Sequence, residues 1–317
     1  MRIGYFLSSE EYGPRELVRQ AQLAEDHGLS GLWISDHFHP WNDEQGQSPF
    51  VWATLGAVVQ ATGLNVGTSV TCPMIRMHPA LIAQAAATVG ALSEGRFTLG
   101  LGSGEALNEH ILGDRWPNAQ IRLEMLEEAV EVIRALFTGE VVNHLGEHYE
   151  VEHARLYTLP EQPVPIYISG FGPMSVELAG RIGDGFINTK PDQALVDGFR
   201  KGGGAGKPMQ AGTKVCWAPT KEEGVETAHR LWATESLPGE LLQILPTPEH
   251  FEQASQLVTP EMIAESIPCG PDPQPYVEAF KKYADVGFDE LFIQQIGPDQ
   301  DRFFEFYAKE VEPLLNF

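Results

Sequence analysis

The chain has 317 residues, of which 21 are lysine or arginine and 44 are aspartate or glutamate, so its formal net charge is −23. This acidic excess argues against nucleic acids and anionic membranes as partners, because both are polyanions. The three cysteines lack CxxC spacing, which excludes a zinc ribbon or a disulfide framework and predicts a reducing, cytoplasmic location. The N-terminal residues form a short strand-like run, so we expect no signal peptide.

Short apolar runs alternate with helical patterns along the whole chain. The predicted strands are Arg2–Leu7, Gly31–Ser35, Asn65–Val70, Phe97–Leu101, Pro165–Ser169, Gly185–Asn188, Thr213–Trp217 and Glu290–Gln294. The predicted helices are Pro14–His27, Phe50–Ala61, His78–Leu92, Ala119–Phe137, Pro173–Ile182, Asp192–Lys201, Lys221–Ala233, Pro273–Asp285 and Arg302–Leu314. Continuous apolar strands of this kind are typical of a parallel sheet covered by helices. The pattern predicts one α/β domain over residues 1–317, a (β/α)₈ TIM barrel, with an open doubly wound sheet as the alternative.

Three segments depart from the regular alternation. Val141–Val151 predicts a β-hairpin inserted between the fourth and fifth units, with Leu145-Gly146 at its turn. The long segment Thr234–Pro275 precedes the last strand, and in a barrel it would overhang the C-terminal face where active sites lie. The glycine-rich run Gly202–Gly206 predicts a flexible loop.

Two predicted helices have no charged residue on any face. Between Glu44 and Glu94 the only charged side chain is Arg76, and prolines and polar residues interrupt the stretch, so a membrane span is not expected. An outer barrel helix normally has a polar face, so Phe50–Ala61 and His78–Leu92 must be covered by something other than water. The cover is either a loop of the same chain or, as we favour, the partner in a homodimer.

The second predicted strand ends in a cluster of polar and aromatic side chains. His37 is suited to act as a general base near neutral pH, and Asp36 could orient its ring. The indole of Trp41 could donate a hydrogen bond to a substrate oxygen. The alternative is that Asp36 caps a helix and the aromatic residues only pack.

The fourth predicted strand ends in alternating glycines followed by a carboxylate. Ser103 and Gly104 belong to a GxGxG pattern, which lets a flat ring or a phosphate approach the backbone. Glu105 stands where a third glycine would complete the nucleotide-binding pattern, so the evidence for NAD is weak. Glu105 is either an acid in the site or simply the first residue of a helix.

Two further strand ends could line a ligand site. The run Ser169–Gly172 precedes a helix, and its free backbone N–H groups would form an anion site. Thr68–Val70 ends the third strand and forms a platform for one face of a ring. No metal is expected, because the hairpin would scatter His144, His148 and His153 and nothing nearby completes a ligand set.

Four segments carry a resemblance to a known family: Ser35–Trp41, Gly67–Val70, Gly102–Glu109 and Gly180–Phe186. They resemble the luciferase-like flavoprotein superfamily and, more closely, its branch of glucose-6-phosphate dehydrogenases that use the deazaflavin coenzyme F420. The resemblance extends in order over essentially the whole chain. It implies a (β/α)₈ barrel, a homodimer and a deazaflavin bound at the C-terminal face.

The resemblance also implies a role for each site residue. His37 would take the proton from a substrate hydroxyl as hydride leaves its carbon, Trp41 would hydrogen-bond the same oxygen, and Glu105 would protonate the reduced ring. The Ser69–Val70 peptide would be cis and would support the rear face of the ring, and the loop Ser169–Gly172 would hold the cofactor phosphate. The implied cofactor contacts are Asp36, Ser69, Val70, Ser103, Gly104, Asn108, Ser169, Gly170, Phe171, Gly172 and Thr189.

The substrate of that branch does not fit this sequence. A sugar phosphate needs lysine or arginine, yet Leu231–Phe280 has neither and contains eight acidic residues. The resemblance places two basic phosphate ligands in this region, where the chain has Leu242 and Ser266. A third falls near Asp192, with Lys190 as the only basic residue close by. We therefore expect a small uncharged substrate: an alcohol, a sugar or a hemiacetal.

The leading hypothesis is an F420-dependent dehydrogenase that oxidises a non-phosphorylated hydroxyl-bearing carbon. A deazaflavin does not activate oxygen as a flavin does, which favours dehydrogenation. The alternatives are an FMN-dependent monooxygenase of the same superfamily and a catalytically silent barrel that only binds a flavin or deazaflavin. The combination of a base, an acid and an indole argues against the silent barrel, because binding alone needs no matched acid and base.

Overall fold

The computed structural model describes residues 1–317 and contains ten strands in chain order. They are β1 (Arg2–Leu7), β2 (Gly31–Ile34), β3 (Asn65–Thr68), β4 (Phe97–Leu101), β5 (Val142–Leu145), β6 (Glu150–Ala154), β7 (Ile166–Ser169), β8 (Gly185–Asn188), β9 (Met209–Val215) and β10 (Glu290–Gln295). Eight of them form a closed parallel barrel in the order β1-β10-β9-β8-β7-β4-β3-β2. The predicted (β/α)₈ barrel is confirmed, and the open sheet is wrong, because the first strand pairs with the last from Arg2↔Glu290 onward.

Thirteen α-helices surround the barrel or cover its mouth. They are α1 (Pro14–Asp26), α2 (Val51–Ala61), α3 (Pro79–Leu92), α4 (Ala106–Glu109), α5 (Ala119–Phe137), α6 (Pro173–Ile182), α7 (Gln193–Phe199), α8 (Lys221–Trp232), α9 (Leu241–Ile244), α10 (Pro248–Ser255), α11 (Pro260–Ser266), α12 (Gln274–Val286) and α13 (Gln300–Phe306). None of them combines the length and the apolar character that crossing a bilayer requires.

A small layer of large side chains fills the barrel interior below the mouth. It consists of Phe6, Trp33, Ile187 and Phe292, and the rings of Trp33 and Phe292 stack 4.5 Å apart. Val70 packs against this layer from above. The interior is therefore solid, and the layer forms the floor of whatever binds at the C-terminal ends of the strands.

Strand β9 begins four residues earlier than the sequence predicted, at Met209 rather than Thr213. Its inward positions are Gln210, which accepts from the indole of Trp33, and Gly212, where a side chain would collide with the same indole. Because side chains alternate along a strand, Lys214 is the next residue on this side and lies at the barrel mouth.

The glycine-rich run is not the flexible loop that the sequence predicted. Residues Arg200–Gly204 form a π-helical turn that is kinked at Gly203 and packs against α6. A side chain at Gly202 would lie 2.4 Å from the carbonyl oxygen of Glu177, so the glycines permit a close approach of two backbones.

Both insertions are ordered around particular side chains. The hairpin of β5 and β6 is anchored by Glu128, which accepts from His144 Nε2 and from the backbone N–H groups of His148 and Tyr149. The long insertion includes α9, α10 and α11 and builds a second apolar cluster with Trp41. This cluster joins the insertion to the loop after β2.

The uncharged helices α2 and α3 lie on the outside of the barrel. Their outer faces are exposed: the exposed residues are Ala53, Ala57 and Gln60 on α2 and Leu81, Gln84, Thr88 and Leu92 on α3, with Leu81 58% exposed. The intrachain cover considered from the sequence is therefore wrong for these positions, and an uncharged surface of apolar and neutral polar side chains remains.

Candidate active site

Loops after β1, β2 and β4 bring an imidazole between two carboxylates at the barrel mouth. Nε2 of His37 lies 3.6 Å from Oε1 of Glu10 and 3.5 Å from Oε2 of Glu105. The His37 side chain is 10% exposed and that of Glu10 only 4%. Glu10 is fixed by hydroxyl donors from Ser8 and Ser35, at 2.9 and 2.8 Å. Glu10 was not predicted as a site residue, because its proximity to His37 depends on β1 and β2 being neighbours in the barrel.

A backbone carbonyl fixes the orientation of His37. Its Nδ1 lies 3.1 Å from the carbonyl oxygen of His39, so Nδ1 carries the proton in the neutral ring and Nε2 is left with its lone pair. The suggestion that Asp36 orients this ring is wrong. Its carboxylate instead accepts from the hydroxyl of Thr71 at 2.8 Å and pairs with Arg76 at 2.9 Å.

Glu105 stands at the start of α4 but does not cap it. Its side chain makes no capping bond and faces His37 instead. Asn108 donates to Glu105 Oε2 at 3.0 Å and accepts from the backbone N–H groups of Phe38 and His39. Asn108 therefore ties the loop after β2 to the loop after β4. Desolvation by the surrounding protein raises the pKa of Glu105, while the neighbouring His37 acts in the opposite direction.

Trp41 stands beside His37, with their ring centroids 5.0 Å apart. Its other side packs edge-on against Phe251 of α10, and the side chain is 8% exposed. The indole N–H donates to no group of the chain, so it is free for a ligand oxygen. Because Phe251 belongs to the insertion, the position of Trp41 depends on that segment as well as on β2.

The platform after β3 has the form implied by the sequence resemblance, since the peptide bond between Ser69 and Val70 is cis. Both residues are partly accessible at the mouth, and so are Ser103 and Gly104 after β4. A side chain at Gly102 would come within 2.6 Å of Val70 Cγ2, so glycine is needed for these two loops to lie together. The result is a strip of partly accessible residues next to the buried interior layer.

The loop Ser169–Gly172 after β7 is less open than the sequence predicted. The backbone N–H groups of Phe171 and Gly172 donate to the hydroxyl of Ser175, at 3.1 and 3.0 Å. They are therefore not the free donors that an anion site at this loop requires. Thr189 follows β8, and its carbonyl oxygen accepts from the hydroxyl of Tyr283 at 2.9 Å. The predicted cofactor contacts of these residues stay predictions.

Arg76 forms a buried charge cluster beneath the site. Its guanidinium pairs with Asp36 and lies 3.7 Å from Glu109, and its side chain is 8% exposed while both carboxylates are 0% exposed. Glu109 also accepts from the backbone N–H groups of Ile75 and Arg76. Burial raises the pKa of Glu109, and these donors oppose it. The cluster ties the loop after β3 to those after β2 and β4; the sequence analysis identified neither Arg76 nor Glu109 as a site residue.

A polar cavity of about 110 Å³ lies on the β8–β9 side of the mouth. It is lined by Phe6, Thr189, Gly212, Thr213, Lys214, Glu235, Ser266, Ile267 and Tyr283. Nζ of Lys214 is 2.6 Å from Oε1 of Glu235 and 4.2 Å from the ring centre of Trp232. Lys190 was the basic residue expected in this region from the sequence, but it is exposed outside the cavity, and Lys214 lines the cavity instead.

Known proteins resemble this chain over most or all of its length. The luciferase-like monooxygenase family matches residues 1–290. F420-dependent glucose-6-phosphate dehydrogenases from Amycolatopsis mediterranei (strain U-32) and Nocardia farcinica (strain IFM 10152) are 37% and 39% identical, over 100% of this chain and 99% and 98% of their own lengths. The structure of an F420-dependent secondary alcohol dehydrogenase with an F420-acetone adduct superimposes with a TM-score of 0.92 at 30% identity, covering 100% of this chain and 99% of that one.

Proposed function

Because the chain belongs to the luciferase-like monooxygenase family, we propose that it is a coenzyme F420-dependent dehydrogenase that oxidises the CH–OH group of a small, non-phosphorylated substrate. The observation that supports this best is His37, whose Nε2 lies between two carboxylates and next to a free indole N–H at the barrel mouth. A base of this kind is what removal of a hydroxyl proton requires.

The backbone around the mouth fits a flat tricyclic ring. Ser69, Val70, Ser103 and Gly104 are partly accessible at the mouth, and the aromatic and aliphatic layer beneath them is buried. When bound, the deazaflavin supplies the acceptor for a hydride. The relatives at 37% and 39% identity are F420-dependent enzymes, and the structure at 30% identity holds an F420-acetone adduct.

The side chains of the site bind the substrate oxygen and move the protons. His37 accepts the hydroxyl proton at Nε2, since Nδ1 is held by the carbonyl of His39. Trp41 holds the same substrate oxygen through its indole N–H. Glu105, whose pKa is raised by burial, would supply the proton that the bound cofactor takes up together with the hydride. Glu10 is a positioning residue, because the imidazolium formed after proton transfer gains a carboxylate 3.6 Å from Nε2.

The substrate proposal departs from the names of the sequence relatives. The insertion that covers the mouth has no lysine or arginine from Leu231 to Phe280, and Lys214, the one cation in the polar cavity, is paired with Glu235. A phosphate dianion therefore meets no uncompensated positive charge there.

Turnover with purified protein tests the proposal. We expect oxidised F420 to bleach with uncharged alcohols or free sugars and to bleach far less with glucose 6-phosphate. Oxygen consumption with reduced FMN, together with no F420 bleaching on any member of the panel, would instead establish the monooxygenase.

We also propose that the chain is one domain over residues 1–317 and forms a cytoplasmic homodimer. The free thiols Cys72, Cys216 and Cys269 support a reducing compartment. The exposed, uncharged faces of α2 and α3 support self-association. We expect Leu81→Glu to give a monomer in light scattering, while Leu257→Glu at an exposed position of the insertion keeps the dimer. A monomeric wild-type protein would contradict the dimer.

A further inference from the structure

The polar cavity is separate from the groups that act on the reacting hydroxyl. In the eight-strand ring β8 lies opposite β2, so the cavity faces the His37 side across the mouth. Phe6 belongs both to the cavity wall and to the interior layer against which Val70 packs. The cavity therefore borders the interior layer below the mouth, and the far end of a substrate held at His37 would extend toward it across the mouth.

The charges of this cavity cancel. Its lining has one cation, Lys214, and one anion, Glu235, and the two are in contact at 2.6 Å. The Lys214 ammonium also lies over the indole of Trp232, which in turn donates to the buried carboxylate of Glu11 at 2.6 Å. Lys214 thus already has an anion and an aromatic face as partners.

The remaining lining consists of hydroxyls and apolar groups. Thr189 contributes a side-chain hydroxyl, and the hydroxyls of Tyr283 and Ser266, which donate to the carbonyl oxygens of Thr189 and Met262, can still accept from a ligand. Phe6 and Ile267 add apolar surface. A hydroxyl on the ligand can accept from Lys214 and donate to Glu235 at once, because an alcohol is both donor and acceptor. A phosphate oxygen can only accept, and it would be repelled by the Glu235 carboxylate.

We propose that this cavity is the specificity subsite for the far end of the substrate, that it takes a neutral, hydroxylated carbon chain such as that of a polyol or free sugar, and that Glu235 is the residue that excludes phosphorylated substrates. This inference rests on the proposed function, because it assumes that the reacting hydroxyl lies at His37. It narrows the substrate from any uncharged alcohol to one with further hydroxyl groups.

Binding measurements on the full chain test the subsite without relying on turnover. Titration calorimetry with glucose and with glucose 6-phosphate gives the ratio of their affinities for the wild type, Glu235→Gln and Glu265→Gln. Glu265 is exposed, adjacent to Ser266 and outside the cavity lining, so its substitution makes the same change of net charge. We expect Glu235→Gln to shift the ratio toward the phosphate ester by about tenfold or more, since it leaves Lys214 without its anion.

A second variant separates the cation from the anion. Lys214→Met should weaken glucose binding without creating affinity for glucose 6-phosphate. An unchanged ratio in Glu235→Gln, or an equal shift in Glu265→Gln, would overturn the assignment of the cavity. A parallel titration of the wild type with F420 tests the proposed function separately. No F420 binding would contradict the dehydrogenase, while the ratio of the affinities for glucose and glucose 6-phosphate would still decide the role of Glu235.

Discussion

The two sides of the barrel mouth are built in different ways. On the side of β1 to β4, His37 is held by a carbonyl oxygen and lies between two carboxylates, and Asn108 ties two loops together through three hydrogen bonds. On the side of β8 and β9, the polar cavity depends on one ion pair, and Glu235 remains 35% exposed. Because several hydrogen bonds fix its side chains, the first region keeps its geometry, and proton transfer requires a fixed geometry. In the second region one ion pair sets the charge of the cavity, so a single substitution there can change which ligand binds.

The largest effect on the chemical side should come from removing the base. We expect His37→Ala to lower kcat by roughly 10²–10⁴-fold, the usual contribution of a positioned general base. Steady-state F420 reduction measures this. His27→Ala, at the end of α1 and remote from the mouth, serves as the control and should leave kcat unchanged. Undiminished turnover in His37→Ala would remove the assigned role.

The buried charge cluster below the site should dominate stability. Arg76→Met leaves Asp36 and Glu109 as uncompensated buried carboxylates, so we expect the free energy of unfolding to fall by about 3–5 kcal/mol. Arg19 also contacts two acidic residues, but its side chain is 42% exposed, and Arg19→Met should cost about 0.2–1 kcal/mol. Equal losses in urea denaturation of the two variants would show that burial does not set the strength of these pairs.

A smaller effect should separate positioning from proton transfer. Glu10→Gln keeps acceptors for Ser8 and Ser35 but removes the charge that faces His37. We expect kcat to fall by roughly 10- to 100-fold with little change in KM, because the binding contacts of the substrate stay in place. A raised KM at constant kcat would assign Glu10 to substrate binding instead.

The smallest change should be in the shape of the pH profile. The pKa of Glu105 is raised by burial, so its protonated form persists to higher pH than in an ordinary glutamate. A step that needs this proton must slow as pH rises through the raised pKa. We expect Glu105→Gln to lose that alkaline decline in kcat while Glu249→Gln on the exposed surface of α10 retains it. An alkaline limb that persists in Glu105→Gln would assign it to another group.

The architecture was predictable from the sequence because its signal is local. Apolar runs and helical periodicity extend over whole elements, and seven of the eight predicted barrel strands begin within about one residue of their place in the structure. Strand β9 is the exception, and the wrong start of this strand affected the prediction of the site. A strand predicted from Thr213 gave no reason to extend the alternation back to Gln210, so Lys214 was not recognised as facing the mouth.

Only the site residues that lie in short motifs directly after a strand were predictable from the sequence. His37, Trp41 and Glu105 lie directly after strands, where the barrel brings chemistry together. Glu10 and Arg76 act on residues far away in the sequence, and a single chain gives no sign of such pairings. For the loop Ser169–Gly172 the sequence predicted free backbone N–H groups, but in the structure those of Phe171 and Gly172 donate to the hydroxyl of Ser175.

The most direct test of the account is an equilibrium titration of the wild-type protein with oxidised F420 and, separately, with FMN, followed by fluorescence. We expect saturable F420 binding that is at least about tenfold tighter than that of FMN. Tight FMN binding without measurable affinity for F420 would contradict it and would leave His37 without the reaction assigned to it.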